Sequence, residues 1–360
     1  MPRNSTNNGC LMKHTYSIIA AALLMSVSAS SQAYDVELSK HIETITLPEP
    51  IKRIPPRYPI QAARESREGW AKFSFIIEKD GSVSNIVVGE TSGSRDMTRE
   101  GIRALKQWKY EPAMIDGKPV QQCNNTVQLD FRMSDNSRRS VSKRFRSRYK
   151  KAMKAIQNNK FEEANTHLAA IKQFKNTNIT EHNYYQLASL LLSEKLGNKQ
   201  QQLHHIYQIS HRGDYLNNEL KLTLLQKKFA LEVDSNKLFN AFNTYNQLAK
   251  HPLADTYLPK YQKVLDKIKH HIDQGDTISI QGNILDSEYW SHTLIGNQFS
   301  ISDIEGNLTT LDVRCKTKHH KYTFEANNTW TLPESWKNCR VLVYGEDNAK
   351  FTLLEQLAKT

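Results

Sequence analysis

Histidine and cysteine are the residue types of this sequence whose spacing could indicate metal chemistry. Six of the histidines stand in adjacent pairs, which are His204-His205, His270-His271 and His319-His320. Adjacent side chains on a helix diverge by about 100°, whereas two histidines that share a metal are spaced i, i+4. The cysteines show no Cys-x-x-Cys spacing and no His/Cys pattern appropriate to zinc. We therefore predict surface histidines and no metal site.

Motifs of enzymatic catalysis are also missing from the sequence. An enzyme needs a nucleophile with its base, paired carboxylates or metal ligands. The chain has no Gly-x-Ser-x-Gly, no His-Glu-x-x-His and no glycine-rich loop that could cradle a phosphate. We predict a protein that is not an enzyme and that binds no cofactor.

The first apolar run predicts a secretory leader and not a membrane-spanning helix. Residues 17–29 (SIIAAALLMSVSA) fall short of the roughly 20 apolar residues that a span needs. A lysine precedes this run and Ala33 ends a small-x-Ala motif, so residues 1–33 fit a signal peptide that is cleaved after Ala33. Met12 begins a cleaner signal than the first residue and is the alternative start. An uncleaved leader that anchors the protein is the alternative to secretion.

Cysteine usage is interpreted through this leader. Cys10 would be removed with it, and the remaining cysteines would stand in an oxidising compartment. Cys315 and Cys339 form the natural disulfide pair, and closing the short loop between them is worth about 3 kcal/mol in the chain-entropy model. Cys123 is left over, and we expect it to be a buried, inert thiol.

The charge of the chain is strongly basic in one segment. The net charge is +12, and the leader contributes Arg3 and Lys13, so the mature chain carries 12 − 2 = +10. Much of the excess lies in residues 138–154 (RRSVSKRFRSRYKKAMK). For a secreted protein the available polyanions are lipid head groups, lipopolysaccharide and cell-wall polymers, and nucleic acid is not among them. The candidate residues for such an anionic surface are Arg138, Arg139, Lys143, Arg144 and Arg146. A solvated linker and first helical turn is the alternative.

Residues 46–133 predict an α+β fold. A helix (IQAARES) follows Pro59, a hairpin occupies residues 68–93, a second helix (MTREGIRALKQW) comes next, and a strand (TVQLDFRM) ends the region. The hairpin strand places Phe73, Phe75 and Ile77 on one face. The last strand places on its apolar face Val127, Leu129, Phe131 and Met133.

Residues 140–275 predict an α-helical repeat segment. The apolar period changes to 3.6 residues, and Ala164, Leu203 and Ala241 occupy like places at spacings of 39 and 38 residues. Stacked helical hairpins account for this pattern. The first unit is similar to a tetratricopeptide repeat, although the period exceeds that family's 34 residues, so a generic helical array is an equal alternative.

Residues 276–360 predict a small all-β domain with a disulfide. The strand segments are TISIQGNIL, HTLIGNQFSI, LTTLDVRC, KYTFEA and CRVLVYG, and a final helix (LLEQLAK) is expected at the end. We expect the three regions to follow one another along the chain as separate units.

Several motifs within residues 55–133 occur in a specific order. They are Tyr58-Pro59, Glu68-Gly69, Asp80-Gly81, Ser92-Gly93, Trp108, Tyr110, Pro112-Ala113 and Gly117-x-Pro119-Val120. In this order they resemble the C-terminal domain of the TonB energy-transducer family. The resemblance covers about a quarter of the chain and implies an antiparallel sheet with two helices.

The resemblance also implies a binding task. In such domains the last strand lies at a sheet edge and pairs with an extended segment of an outer-membrane receptor, the TonB box. This is β-augmentation, in which the backbone of an edge strand supplies affinity and its side chains supply specificity. The matching strand here consists of Thr126, Val127, Gln128, Leu129, Asp130, Phe131, Arg132 and Met133. Arg57 and Tyr58 are further contact candidates.

These observations lead to one functional prediction and two alternatives. We predict a periplasmic adaptor or accessory protein of TonB-dependent transport whose partner is an outer-membrane receptor segment or another envelope protein. Only residues 34–45 separate the leader from the domain, about 40 Å when fully extended, which is less than a transducer's spacer provides. An energy transducer held by an uncleaved leader is the first alternative. A protein that binds the cell wall or an anionic lipid through residues 138–154 is the second.

Overall fold

The structure, a computed structural model, describes residues 45–92, 94–133, 141–174, 177–210, 216–285 and 287–357. The predicted signal peptide (residues 1–33) and the candidates Arg138 and Arg139 lie outside the described residues. Residues Glu43–Thr360 form one compact unit. The expectation of three separate units along the chain is therefore wrong, and the reason lies in the contacts between the regions given below.

The first region, the α+β region, has the predicted order of elements. Its elements are β1 (Ile45–Thr46), β2 (Pro50–Lys52), α1 (Ile60–Arg64), β3 (Gly69–Ile77), β4 (Val83–Thr91), α2 (Arg95–Leu105), β5 (Lys109–Tyr110), β6 (Ala113–Ile115), β7 (Lys118–Val120) and β8 (Gln122–Phe131). The antiparallel sheet β4-β3-β8 forms its centre. The short strands form the ladders β1-β6-β7 and β2-β5 beside it.

The turn between β3 and β4 requires glycine. Gly81 has φ of 75°, and a Cβ at this position would lie 1.8 Å from the backbone oxygen of Tyr110. The backbone amide of Ser82 donates to the Asp80 carboxylate at 2.9 Å and closes the same turn. The Asp80-Gly81 pair therefore fixes the hairpin in two ways. Gly81 adopts the positive φ of the turn, and it lets the backbone of Tyr110 approach closely.

One face of this sheet, called the apolar face from here on, is covered by α2 and the residues that follow it. Phe73, Phe75 and Ile77 are buried here, as period-2 alternation predicted. Trp108 packs edge-on against Phe75, with ring centroids 6.1 Å apart, and its Nε1 donates to the backbone oxygen of Ile54 at 2.7 Å. A glycine in α2, Gly101, lies directly over the Phe73 ring, where a Cβ would be 2.4 Å away.

The second region, the helical region, consists of seven described helices. They are α3 (Lys143–Gln157), α4 (Phe161–Lys172), α5 (Ile179–Lys195), α6 (Lys199–Gln208), α7 (Asn218–Asp234), α8 (Leu238–Leu248) and α9 (Leu258–Gln274). Consecutive helices pack in pairs, α3 with α4, α5 with α6, and α7 with α8. Ala164, Leu203 and Ala241 are each buried in the second helix of a pair. The likeness to tetratricopeptide repeats stays a prediction.

The third region, the β region, is a sandwich of two antiparallel sheets. Its strands are β9 (Thr277–Asn283), β10 (Tyr289–Thr293), β11 (Gln298–Glu305), β12 (Leu308–Arg314), β13 (His319–Thr323), β14 (Thr329–Thr331), β15 (Arg340–Gly345) and β16 (Lys350–Gln356). The sheet orders are β10-β15-β12-β13 and β14-β11-β16-β9. Side chains from both sheets share one apolar core.

The final helix predicted from LLEQLAK is wrong, because residues 350–356 form strand β16. This strand pairs with β11 on one side and β9 on the other, so it lies inside its sheet. Phe351 and Leu353 are buried in the sandwich core. Leucine and lysine have good helix propensity, but pairing on both sides and burial decide the conformation here.

The disulfide Cys315–Cys339 is confirmed. Cys123 is a free cysteine, and it is buried, as predicted. Burial raises the pKa of the Cys123 thiol to about 12, and the nearby Glu78 carboxylate acts in the same direction. The thiol is therefore protonated at neutral pH, which fits an inert side chain.

Candidate functional site

Strand β8 contains the predicted partner-binding residues and lies at an edge of the central sheet. It pairs with β3 in antiparallel register from Gly69↔Phe131 to Phe75↔Asn125. Among the strands that the structure describes, β3 is its one neighbour. The strand begins at Gln122 and ends at Phe131, so the predicted strand of residues 126–133 starts four residues late and ends two residues late.

The apolar side of β8 is held by the rest of the α+β region. Val127 and Leu129 pack against the residues of the apolar face. Phe131 is buried beside Ala62 and Met97. Met133, however, is 42% exposed and lies beyond the strand, so its prediction as an inward anchor is wrong. Since the strand ends at Phe131, the alternation that would turn Met133 inward stops before it.

The polar side of β8 is less accessible than predicted. Thr126 is exposed, but Gln128, Asp130 and Arg132 are half-buried. Gln128 Nε2 donates to Asp130 Oδ1 at 2.7 Å, and Arg132 Nη2 lies 3.4 Å from Asp130 Oδ2. The prediction of an accessible face is wrong for these three side chains, which are half-buried and contact one another. The two later regions contact this side of the sheet, called the polar face from here on, at β3 and β4.

The helical region covers part of the polar face. Trp70 of β3, which stands opposite Asp130 in the register, is buried and packs edge-on against His182 of α5 with ring centroids 6.2 Å apart. Burial lowers the pKa of His182, and its Nε2 lies 2.9 Å from the backbone oxygen of Gln208. The backbone amide of Glu68 donates to the oxygen of Thr177 at 3.3 Å.

The β region covers another part of the polar face through buried polar groups. Arg314 is fully buried, and its Nε and Nη2 donate to the two oxygens of Asp312 at 3.0 and 2.9 Å. Its Nη1 donates to the backbone oxygen of Asn85 in β4 at 2.9 Å. Burial alone would raise the pKa of Asp312, but hydrogen bonds from His319 and Arg314 outweigh it and lower the pKa to about 2.

A tyrosine makes a second contact between the β region and β4. Tyr289 Oη donates to the backbone oxygen of Val88 at 2.8 Å. Burial raises the pKa of Tyr289, and the carboxylate of Glu90 adds to the effect. The phenol is therefore protonated at neutral pH and can donate this hydrogen bond.

The N-terminal end of β8 meets the loops that the disulfide joins. The backbone amide of Cys123 donates to the oxygen of Lys316 at 3.1 Å. Asn124 Nδ2 donates to the oxygen of Asn338 at 2.6 Å. Sequence reasoning missed this neighbourhood, because no local pattern shows that residues 193 and 214 positions apart along the chain lie together.

The remaining candidates near β8 take different places. Tyr58 packs edge-on against Phe131, with ring centroids 6.0 Å apart, and its Oη donates to the backbone oxygen of Arg67 at 2.5 Å. Burial, together with the charge of Glu68, raises the pKa of Tyr58 to about 12. Arg57 is exposed. Tyr58 therefore supports β8 from inside the fold, and Arg57 lies at the surface.

Helix α3 brings the basic candidates together on an exposed face. Seven of its fifteen residues are Lys or Arg and none is acidic. All seven are exposed, and they are Lys143, Arg144, Arg146, Arg148, Lys150, Lys151 and Lys154. None of them forms an ion pair with another described residue, while Glu163 of the neighbouring α4 pairs with Lys160 and His167. Arg144 lies over the Phe174 ring at 4.1 Å from its centroid.

The histidine pairs are not all at the surface. His270, His271 and His320 are exposed, as predicted. The prediction of His319 as a surface residue is wrong, because its side chain is only 12% exposed and its Nε2 lies 3.0 Å from Asp312 Oδ1. His204 and His205 are half-buried. Within the described part of the chain, no group of three or more histidine, cysteine, aspartate or glutamate residues could hold a metal ion.

The described residues include no helix with the length and apolar content that crossing a membrane requires.

Comparison with known proteins gives a match to one part of the chain. Residues 54–133 match the family described as Gram-negative bacterial TonB protein C-terminal. The Protein TonB of Pseudomonas aeruginosa is 38% identical over 71 residues, which are 20% of this chain and 21% of that protein. The Protein TonB of Escherichia coli K12 is 33% identical over 72 residues, which are 20% of this chain and 28% of that protein.

The match is therefore partial on both sides. The chain spans about a fifth to three tenths of the length of these curated relatives. A solution structure of the Pseudomonas aeruginosa TonB C-terminal domain is 30% identical, with 25% of this chain and 89% of that chain covered and a TM-score of 0.22. The helical and β regions lie outside residues 54–133.

Proposed function

We propose, from the premise that residues 54–133 form a TonB C-terminal domain, that this protein works in TonB-dependent transport as a periplasmic adaptor. It binds an extended segment of an outer-membrane receptor, or of another envelope protein, by strand addition at β8. The observation that carries the proposal is the position of β8, which is the last strand of the family-matched residues and an edge strand of the described sheet.

The physical basis is the combination of a fixed strand with a backbone at the edge of a sheet. Val127, Leu129 and Phe131 hold β8 to the body of the region, so an incoming segment meets a strand that is already ordered. Preorganisation of this kind lowers the entropic cost of binding. Backbone hydrogen bonds would supply affinity, and Thr126, which is exposed, is the side chain best placed to meet the partner.

A photo-crosslinking amino acid at Thr126 tests the proposal in cells. We expect one specific envelope product, whereas the same amino acid at Arg99, an exposed position of α2, should give none. A crosslink pattern that is the same at both positions would contradict binding at β8.

Proline substitutions separate strand addition from other modes of binding. Backbone amides of an antiparallel strand point alternately toward the partner strand and toward the outside. One of the substitutions Val127→Pro and Gln128→Pro therefore removes a hydrogen bond between β8 and β3. The other removes an amide that faces the open edge. The variant that stays folded should lose the Thr126 crosslink, while Gln128→Ala, which keeps the amide, should retain it. A well-folded proline variant that still captures its partner at full affinity would rule out strand addition here.

The adaptor and the anchored transducer differ in the fate of the leader. Sequencing of the N-terminus of protein recovered from cells should give a mature start at Tyr34 for the adaptor. A retained leader would favour the energy transducer, because a route to an inner-membrane motor would then exist.

The basic face of α3 supports a second function, binding to an anionic envelope polymer or lipid. Seven exposed cations without ion pairs to other described residues repel one another, and a polyanion relieves this repulsion. Sedimentation with anionic vesicles or peptidoglycan should weaken steeply with salt. Neutralising Arg138, Arg139, Lys143, Arg144 and Arg146 should abolish it. The matched control neutralises five exposed lysines elsewhere, Lys250, Lys260, Lys263, Lys267 and Lys269. Equal partitioning of the two variants would remove this function.

A further inference from the structure

The disulfide loops, defined as residues 315–318 and 336–339, close one end of the β8 edge. The amide of Cys123 already donates to the oxygen of Lys316 at 3.1 Å. The two loops are tied to each other by the Cys315–Cys339 disulfide and by the amide of Lys316, which donates to the oxygen of Lys337 at 2.7 Å. The loops therefore form one braced unit beside the first residues of the strand.

This contact limits where a strand can be added. A backbone group of β8 that is bonded to the loops is unavailable to an incoming segment, so an added strand must stop before Cys123. The distance along β8 from Thr126 to Cys123 is about 10 Å at the rise of a β-strand. The end of an added segment opposite Thr126 would therefore lie about 10 Å from the loops, within the range of a charge–charge interaction at low salt, where the Debye length is about 10 Å or more.

The charge of the disulfide loops is positive. They carry Lys316, Lys318 and Lys337, of which Lys318 and Lys337 are exposed and Lys316 is half-buried. None of the three forms an ion pair with another described residue. The loops contain no acidic residue, because their sequences are CKTK and WKNC.

Two carboxylates act on the nearby Cys123 thiol, and both are engaged by other groups. Asp312 is fully buried and binds Arg314 and His319. Glu78 accepts hydrogen bonds from Gln121 Nε2, at 2.6 Å, and from Ser84 Oγ. A third carboxylate, that of Glu334, stands three residues before Lys337 at an exposed position. The loops and this neighbour together still carry three lysines against one acidic side chain, so the charge offered to a partner is positive.

We propose that the disulfide loops are the cationic end wall of the peptide-binding edge, and that the peptide added to β8 carries acidic side chains at the end that faces them. The inference rests on the proposed strand addition at β8 and deepens it by stating the chemistry of the partner. A segment that runs antiparallel to β8 would bring its C-terminal end to the wall, and there the lysines would repel a basic side chain.

The lysines select the partner more than they hold it. Exposed ion pairs contribute little each, so every lysine is expected to change affinity by about two- to fivefold. Like-charge contacts in the wrong partner add to the discrimination, and the preference should fall as salt is raised.

A library of random dodecapeptides, panned on the purified full-length protein at low salt, tests the inference. Peptides retained by the unmodified protein should be enriched in Asp and Glu at one end. The triple variant Lys316→Glu, Lys318→Glu, Lys337→Glu should enrich Lys and Arg at that end instead. The matched control reverses three exposed cations of α2 and its C-terminal end, Arg95, Arg99 and Lys106, and should keep the acidic preference.

The outcomes separate this inference from the proposed function. In the first outcome, the folded proline variant fails to capture the peptides, so their capture needs β8. If the end charges of these peptides are nevertheless the same for the unmodified and triple-Glu proteins, the proposed end wall is wrong and strand addition stands. A library that yields no peptide dependent on β8 would overturn strand addition and the end wall with it. Far-ultraviolet circular dichroism and the thermal midpoint confirm that the triple-Glu protein is folded, and Lys318→Glu alone, at an exposed position, repeats the test with less perturbation.

Discussion

The apolar and polar faces of the β4-β3-β8 sheet are built in different ways. Residues of the α+β region itself cover the apolar face, with Phe75 against Trp108 as an example. Residues of the later regions cover the polar face, through His182 at Trp70 and Arg314 at the oxygen of Asn85. The first face depends on buried area, and the second combines ring packing at Trp70 with directed hydrogen bonds to β4.

This difference separates two roles of a sheet. Burial of aromatic side chains is non-directional and supplies stability in proportion to area. Buried polar groups add little net stability when they are satisfied, but they cost much when one partner is missing. The apolar face therefore stabilises the region, whereas the polar face determines how the later regions dock on it.

Truncation on the apolar face should have the largest effect. Phe75→Ala deletes a fully buried ring and should lower the free energy of unfolding by about 4 kcal/mol. Urea unfolding followed by circular dichroism measures the loss. A cost below about 1 kcal/mol would mean that the apolar face is not the stabilising one, and the comparison between the faces would fail.

Breaking the buried ion pair on the polar face should come next. Arg314→Met removes the bidentate partner of the buried Asp312 carboxylate and leaves it with His319, at 3.0 Å, and Lys321, at 3.8 Å, so it should cost about 3 kcal/mol. Because the lost contact joins two regions, unfolding should also become less cooperative and separate into two steps. Differential scanning calorimetry detects both changes.

The double variant Arg314→Met, Asp312→Leu is the matched control. It removes both charges, so it should be less destabilised than Arg314→Met. With Asp312→Leu measured as well, the loss of the double variant minus the sum of the two single losses is the coupling energy of the pair. If the double variant is as unstable as the sum of the two single ones, the pair does not act as a unit.

Mild acid should destabilise the polar face through His182 and the β region through His292. Burial lowers the pKa values of His182 and His292, although Glu355 partly opposes the effect at His292. The unfolded chain therefore takes up protons below pH 6.5 that the folded chain does not, and stability falls with falling pH by at most about 1.4 kcal/mol per pH unit for each histidine. Asp312, with its pKa near 2, loses its contribution as the pH falls from about 4 to about 2.

Thermal unfolding between pH 7 and pH 5 measures this effect. His182→Gln should flatten the dependence, whereas His270→Gln, at an exposed position of α9, should leave it unchanged. If the midpoint temperature falls equally with pH in both variants, groups other than His182 cause the acid sensitivity.

Loss of the tyrosine contact should have the smallest effect. Tyr289→Phe keeps the ring and removes the hydrogen bond to the oxygen of Val88, which is worth about 1 kcal/mol. Chemical unfolding of this variant beside Tyr344→Phe, whose ring lies 5.4 Å away by centroids, isolates the bond. A loss above about 3 kcal/mol would show that the polar face contributes stability as well as orientation.

The sequence predicted the apolar face well. Three local signals indicated it, namely the alternation at Phe73, Phe75 and Ile77, the proline before α1 and the Asp80-Gly81 turn. Such signals depend only on the apolar period and the backbone conformation of neighbouring residues. The disulfide was predicted for a similar reason, since the oxidising compartment left one natural pair.

The polar face could not be predicted in the same way. Arg314 and Tyr289 occupy strands whose own pattern gives no indication that they contact β4. The errors at His319 and at the end of the chain share this cause. His319 contacts Asp312, which the local sequence does not indicate. At the end of the chain, pairing with strands β9 and β11 overrides the helix propensity of residues 353–356. The proposed edge strand was recognisable through family resemblance, while its end wall was not.

The separation along the chain between β4 and its partners has a consequence for synthesis. The backbone oxygen of Val88 accepts from Tyr289, which is made 201 residues later, and that of Asn85 accepts from Arg314, which is made 229 residues later. A growing chain therefore completes the α+β region long before its second face can be covered. During that interval the indole of Trp70 lacks its contact with His182, so we expect the nascent chain to expose apolar surface and to fold with the slowness of high contact order.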